Sequence, residues 1–232
     1  MIDFNDYFNN SNLNMESSKA PELKRVPPSR ILGRGGAALT LWSDSPDEAQ
    51  LVLASGASRE QLFSDFWLIK IDKKELRASD AYELPIENKD GFAGRNSMSG
   101  IYDAARSRIL YFGGVHSQEE TIFNDILILT CTAEGKWTLT KHVYPEGSTL
   151  PPVRNSHTLT LSKDGASAYL FGGANTEGPL DDLWRLDLET LTFTEIKISG
   201  VKLPKLEMHT AHIYKDYQLL IVGGRGIKAG KT

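Results

Sequence analysis

Short apolar runs that stop at pairs of glycines set the rhythm of this chain. Between Ser107 and Phe193 one pattern occurs twice. Arg108-Ile109-Leu110-Tyr111-Phe112 runs into Gly113-Gly114; Asp125 follows, then the apolar run Ile126 to Leu129, then a lone aromatic, Trp137. The second copy is Ala168-Tyr169-Leu170-Phe171 into Gly172-Gly173, then Asp182, then Leu183-Trp184-Arg185-Leu186, then Phe193. Upstream, Gln50 to Ala54 has the same shape with Ser55-Gly56 in place of the glycine pair. Asp65, Phe66-Trp67-Leu68-Ile69 and, at the place of the late aromatic, Leu76 follow it. Downstream, Gln218 to Val222 runs into Gly223-Gly224. The landmarks Gly56, Gly114, Gly173 and Gly224 step by 58, 59 and 51 residues. A fixed period of this kind decides the architecture before any local reading does.

A second landmark precedes each apolar run: Arg34-Gly35-Gly36, Arg95-Asn96-Ser97, Arg154-Asn155-Ser156 and, with the arginine replaced, Leu206-Glu207-Met208. Within the third repeat, Thr158 to Leu161, Ala168 to Phe171, Asp182 to Leu188 and Phe193 to Ile198 are short and rich in β-formers. They are separated by turn formers such as Ser162-Lys163-Asp164-Gly165, so each repeat reads as four short antiparallel strands. One such sheet cannot bury both faces alone. Stacking the sheets around an axis buries the faces between neighbours and leaves only short edges.

These motifs resemble the kelch repeat: glycine pair after an apolar strand, later aromatic, Pro-x-Arg-x-x-His before the next strand, and a period of roughly 50 residues. The resemblance covers about residues 27 to 227, with departures at Ser55, Leu76 and Leu206. It implies an all-β, kelch-type propeller, partial here, with three full four-stranded blades plus half a blade. Blades are expected at about residues 34–83, 95–143, 154–198 and 207–232, the last incomplete, within a repeat region of residues 22–232. Gly56, Gly113, Gly114, Gly172, Gly173, Gly223, Gly224, Trp137 and Phe193 are its structural landmarks. A ring that stops mid-blade leaves unpaired strand edges. The chain is therefore expected to be part of a longer propeller. Completion by self-association and a four-bladed ring with a deficient last blade are the other arrangements. In propellers of this family the N-terminus often supplies a strand to the last blade, a part open to Leu23 to Val26.

Composition narrows the classes of function. The net charge of −4 and pI near 5.8 offer no basic field for nucleic acid. No apolar run reaches the length of a membrane span. The single cysteine, Cys131, precludes an internal disulfide framework and suits a reducing, cytoplasmic location. Residues 1–21, rich in Asn and Ser, read as disordered, with Phe4, Tyr7 and Phe8 as the makings of a short docking peptide.

No reaction constellation stands out. Gly224 to Thr232 ends like a phosphate-binding loop, but Arg225 occupies the first glycine position and no helix follows. Gly33 to Ala38 fits a loose dinucleotide pattern that the repeat register explains instead. His209 and His212 lie in a strand, where positions i and i+3 point to opposite faces, and His157 shares the repeat position of His209. Neither cofactor nor metal is expected. The resemblance implies a non-catalytic scaffold that binds other proteins through loops at the blade ends, where a rigid frame concentrates binding. The alternative it implies is a kelch-like enzyme acting on a sugar or small molecule, of galactose oxidase or mutarotase type. Candidate contact residues are Arg34, Arg95 and Arg154, with His116, Glu119, Asn175 and Glu177 on the loops. Two roles compete for the arginines: bonds between blades to carbonyls or carboxylates, or a cationic ring for an acidic peptide.

Overall fold

The computed structural model describes residues 31–86, 91–200, 202–215 and 218–226. The N-terminal segment expected to be disordered, the candidate Phe4–Phe8 peptide, the strand expected at Leu23 to Val26 and the end of the glycine- and lysine-rich tail lie outside them. Three four-stranded antiparallel sheets and one hairpin follow each other along the chain. Blade 1 is β1 (Ala38–Asp44), β2 (Glu48–Ala54), β3 (Phe66–Asp72) and β4 (Arg77–Glu83). Blade 2 is β5 (Ser99–Asp103), β6 (Arg108–Phe112), β9 (Ile126–Cys131) and β10 (Trp137–Lys141), with a small hairpin, β7 (Val115–His116) and β8 (Thr121–Ile122), between β6 and β9. Blade 3 repeats that plan with β11 (Thr158–Leu161), β12 (Ser167–Phe171), β15 (Leu183–Asp187) and β16 (Phe193–Glu195), and a small hairpin of β13 (Ala174–Asn175) and β14 (Gly178–Pro179). The half-blade is β17 (Glu207–Tyr214) paired with β18 (Gln218–Arg225). This is the partial kelch-type propeller that the repeats predict.

The period of two in each strand sorts its side chains onto the two faces of a blade. In blade 2, Ile109, Tyr111, Leu127 and Leu129 meet Val52, Ala54, Phe66 and Leu68 of blade 1 in one core. Their alternates Leu110, Phe112 and Ile126 meet Leu159, Ala168, Leu170, Trp184 and Leu186 of blade 3 in a second. Each fully buried Leu, Ile or Phe contributes about 1.5–3 kcal/mol, so the blades are held mainly by their neighbours. Trp137 packs 4.9 Å from Trp42 of blade 1, and Phe193 packs 5.1 Å from Phe112 of blade 2. Leu76 does not take the corresponding place. It sits in the β3–β4 turn, 68% exposed, with φ of 49°. The strand registers explain the miss. Trp137 lies opposite Cys131 and Phe193 opposite Leu186, which are different rungs of their ladders, so the spacing from the glycines does not mark one structural position.

At one end of blades 2 and 3 a buried carboxylate ties the sheets together. The Asp103 side chain is fully buried and accepts from Arg106 and Arg108. Arg108 also donates to the Leu188 carbonyl and Arg106 pairs with Glu189, both in blade 3. Asp103 closes β5, and the single 3-10 turn Ala104–Arg106 after it brings both guanidinium groups onto it.

Candidate interaction surface

The opposite end carries the glycine pairs, the arginines and the loops. Each arginine is buried and ion-paired. Arg34 pairs with Asp65, Arg95 with Asp125 and Arg154 with Asp182; the arginine side chains are 4%, 7% and 0% exposed. The forks are bidentate: the second N–H bonds are 2.9, 2.9 and 2.6 Å. Each guanidinium also donates to the carbonyl of the first residue of the glycine pair: Ser55 at 3.0 Å, Gly113 at 3.1 Å and Gly172 at 2.9 Å. Burial pushes each aspartate's pKa up, but the arginine's hydrogen bonds and charge outweigh it and hold Asp65, Asp125 and Asp182 below the ordinary range. Trp67 and Trp184 add an indole N–H to Asp65 and Asp182. In blade 2, Leu127 stands at the place of these tryptophans and Lys141 reaches Asp125 at 2.8 Å instead.

These side chains stay in their own blade while the backbone of the same residue bonds the preceding one. Gly114 N–H donates to Arg154 O at 2.9 Å and Arg154 N–H to Phe123 O at 3.0 Å; Leu206 repeats the pair with Gly173 and Leu180. Where blade 1 has Ser55, its hydroxyl accepts from Arg95 N–H at 2.7 Å and donates to Phe63 O at 2.6 Å, relaying the same link. So the arginines do bond carbonyls and carboxylates. The guanidinium groups, however, cross no blade boundary, and buried bidentate pairing leaves no charge for the cationic ring that was the competing expectation.

A second set of main-chain bonds runs from blade to blade. Ser97 N–H donates to Gly36 O at 2.6 Å, Ser156 N–H to Ser97 O at 2.8 Å and Met208 N–H to Ser156 O at 2.9 Å. All four residues are left-handed, with φ of 64°, 55°, 55° and 58°. This belt has one polarity along its length.

Beyond the glycines the chain enters the small hairpins, whose side chains divide into supports and tips. Ser58, His116 and Asn175 occupy one repeat position and brace their own turns. Ser58 Oγ accepts from the N–H groups of Glu60 and Gln61, His116 Nδ1 from Glu119 N–H at 3.2 Å, and Asn175 Oδ1 from Glu177 N–H at 2.9 Å. His116 and Asn175, expected as contact residues, are thus turn supports, and His116 is buried. Arg59, Glu60, Glu119, Glu120 and Glu177 at the tips are exposed. The sequence reading missed Arg59, Glu60 and Glu120; the turn-capping position two residues after each glycine pair was the available signal.

His157 and His209 are packed between the blades. His209 shares a hydrogen bond with Thr158 of blade 3 at 3.0 Å, whereas His212 is exposed on the other face. His157 stacks edge-on against Phe112 of blade 2 at 5.5 Å. Burial, with the charges of Arg154 and His209 adding to it, takes its pKa down to about 3. A histidine that stays neutral when folded but binds a proton when unfolded destabilises the fold as pH falls below its ordinary value of about 6.5. Stability is therefore expected to drop by up to about 1.4 kcal/mol per pH unit for His157 between pH 6.5 and 4.5, above the range where the paired aspartates titrate. Urea midpoints of wild type and His157→Leu across that window check this: the variant's slope should be shallower by that increment.

Among the described residues no three His, Cys, Asp or Glu side chains gather as a metal ion would require, and no helix is long and apolar enough to cross a membrane. A family model described as the KLHDC2/KLHL20/DRC7 Kelch-repeats domain matches residues 36–231. The chain is 45% identical over 53 residues to Tip elongation aberrant protein 3 of Schizosaccharomyces pombe, covering 23% of this chain and 4% of that protein. It is 40% identical over 80 residues to human Host cell factor 2, covering 32% and 10%. It is 28% identical over 182 residues to tRNA wybutosine-synthesizing protein 4 of Candida albicans, covering 75% and 24%. The chain thus spans a quarter or less of the length of each of these relatives.

Proposed function

The chain belongs to the kelch-repeat family, and from that premise we propose that it is a non-catalytic scaffold that binds other proteins through the hairpin tips of its blades. One observation carries the reading. Ion pairs and turn bonds hold the arginines, their aspartates and the hairpin supports in place, whereas the tips they brace point charged side chains into solvent. Loops held by a rigid frame are where recognition concentrates. On blades 2 and 3 those side chains are Glu119, Glu120 and Glu177, which favours a partner segment bearing Lys or Arg. The single cysteine agrees with a reducing, cytoplasmic setting. The Candida relative's name describes a synthetic enzyme, but the match covers 24% of that protein.

The test compares the purified chain with a triple variant, Arg59→Ala, Glu119→Ala and Glu177→Ala, as baits for cross-linking and mass spectrometry. Exposed tip changes should shift stability by no more than about 0.5 kcal/mol, so both baits are folded. The variant should lose the proteins that wild type cross-links at its tips. An identical set of cross-linked proteins, or reproducible turnover by the purified chain, would overturn the reading.

A further inference from the structure

The Trp67 and Trp184 indoles have no counterpart in blade 2, and we propose that the pocket at that place takes an aromatic side chain of tryptophan size from a partner protein. None of the hairpin tips lines this pocket, so it can fail or hold separately from the tip-binding reading above.

Strand register defines the position. Two residues after its aspartate, each blade carries Trp67, Leu127 or Trp184. Across the outer strand pair these stand opposite Glu83, Lys141 and Glu195. Two residues further on, blade 3 has Leu186 opposite Phe193 and blade 2 has Leu129 opposite Leu139. In blade 3 both aromatics are buried against blade 2: Trp184 belongs to the shared core, and Phe193 lies 5.1 Å from Phe112. In blade 2, two leucines stand where blade 3 puts an indole and a phenyl ring. Both belong to the core shared with blade 1.

Beside these smaller side chains lies a pocket of about 290 Å³. Ligand sites start at roughly 300 Å³, so the space suits one side chain rather than a large cofactor. Buried Leu127 and Leu139 form its floor, half-buried Phe92 and Phe123 wall it, and Thr140 and Lys141 are exposed at its mouth. Phe92 packs on Phe66 of blade 1 at 5.5 Å, and the Arg95 guanidinium lies 3.6 Å from the Phe123 ring centre. The blade frame thus holds both walls in place.

Lys141 decides the kind of occupant. Its Nζ donates to Asp125 Oδ2 at 2.8 Å, the oxygen equivalent to those that accept from the Trp67 and Trp184 indoles. The carboxylate therefore has its donor without an indole, and the place of the ring is left free. An ammonium at the mouth of an apolar pocket favours an occupant with a π face over an aliphatic one. The chain itself puts an indole at this position in two of its three blades, so a ring of that size fits the frame. Aromatic anchors seated in such pockets carry much of the binding energy between proteins.

Titration of the full chain with N-acetyl-tryptophanamide, followed by heteronuclear NMR, tests this. Saturable shifts are expected at Phe92, Leu127, Leu139 and Lys141, with N-acetyl-leucinamide bound about tenfold more weakly. Leu127→Trp and Leu139→Phe copy the residues of blade 3 and fill the pocket. Each should raise the dissociation constant for the tryptophan amide by about tenfold or more, with circular dichroism unchanged. If one of them does not fold, the other and the wild-type shifts decide. The triple tip variant should bind the amide as wild type does, which separates this result from the tip-binding test. An absence of saturable shifts at the four residues overturns the proposal, as does binding that the filled variants retain. Equal affinity for the leucine amide overturns it too. So does binding of free indole without binding of N-acetyl-tryptophanamide, because the pocket would then admit a small aromatic molecule but no side chain attached to a backbone.

Discussion

Gly173→Val is expected to destabilise the protein by more than about 3 kcal/mol, or to prevent folding. Gly173 has φ of 90°, a region that a β-branched residue enters only as an outlier. A Cβ there would also stand 2.6 Å from Asn155 O and 2.7 Å from His157 Cβ. Neither neighbour can yield. Asn155 O accepts from Ala174 N–H and so fixes the base of the small hairpin, and His157 is wedged against Phe112. Overpacking alone costs about 1–3 kcal/mol, and the backbone term adds to it. Asn175→Ala, two residues on, removes one turn hydrogen bond worth about 1 kcal/mol. For a chain of this size about 1 kcal/mol moves the melting temperature by roughly 2–4 °C. Thermal melts should therefore place Gly173→Val well below Asn175→Ala, with Gly173→Ala between them. Equal melting temperatures would contradict the assignment of Gly173 to the blade frame.

The serine in blade 1 shows that the first position of the pair obeys a different rule from the second. Ser55 is left-handed with φ of 58° and fully buried, so a side chain is admitted there. At Gly113 and Gly172 a Cβ would meet the next blade twice over, the Arg154 and Leu206 carbonyl oxygens at 2.6 and 2.5 Å and then His157 Cε1 at 2.9 Å and His209 Cε1 at 3.0 Å. The residue of blade 2 at that histidine position is Met98. The choice between serine and glycine thus follows the neighbouring blade, a dependence that spacing within one repeat does not reveal.

What the sequence made legible follows the same division. Glycine pairs, alternation and the arginine landmark are local signals that recur in register, and they were enough to place the strands and the stacked blades. The arginine–aspartate pairs were not legible. Arg154 and Asp182 lie 28 residues apart, and only the order of strands within a blade brings them together. Both residue types stood out as repeated, but a repeated arginine suits a surface ring as well as a buried fork. The small hairpins escaped because two-residue strands carry no period. His116 and Asn175 consequently looked like loop residues free to bind, although each holds its own turn.

The other large effect is expected at Arg154. Arg154→Leu should cost about 3–5 kcal/mol, because it leaves the Asp182 carboxylate largely buried without its cation. It also strips a donor from Gly172 O and leaves Trp184 Nε1–H as a remaining partner of Asp182. The loss should depend on pH. In wild type the pair holds the Asp182 pKa below its ordinary value, so this stabilisation is present above the unfolded carboxylate range near pH 4 and fades as pH falls through the depressed folded value. The gap between wild type and Arg154→Leu should accordingly narrow in acid. A second change, Asp182→Leu, made on Arg154→Leu, should recover part of the loss, since a buried pair is far costlier to break than to replace by apolar groups. The half-blade already carries Leu206 at the arginine position, so an apolar residue there is compatible with the Gly173 N–H to Leu206 O bond across the blade boundary. Urea denaturation of wild type and the two variants at pH 7 and pH 4 separates the possibilities. If Arg154→Leu is as stable as wild type at pH 7, the fork does not hold the blade, and the shared arginine position must be explained by partner binding after all.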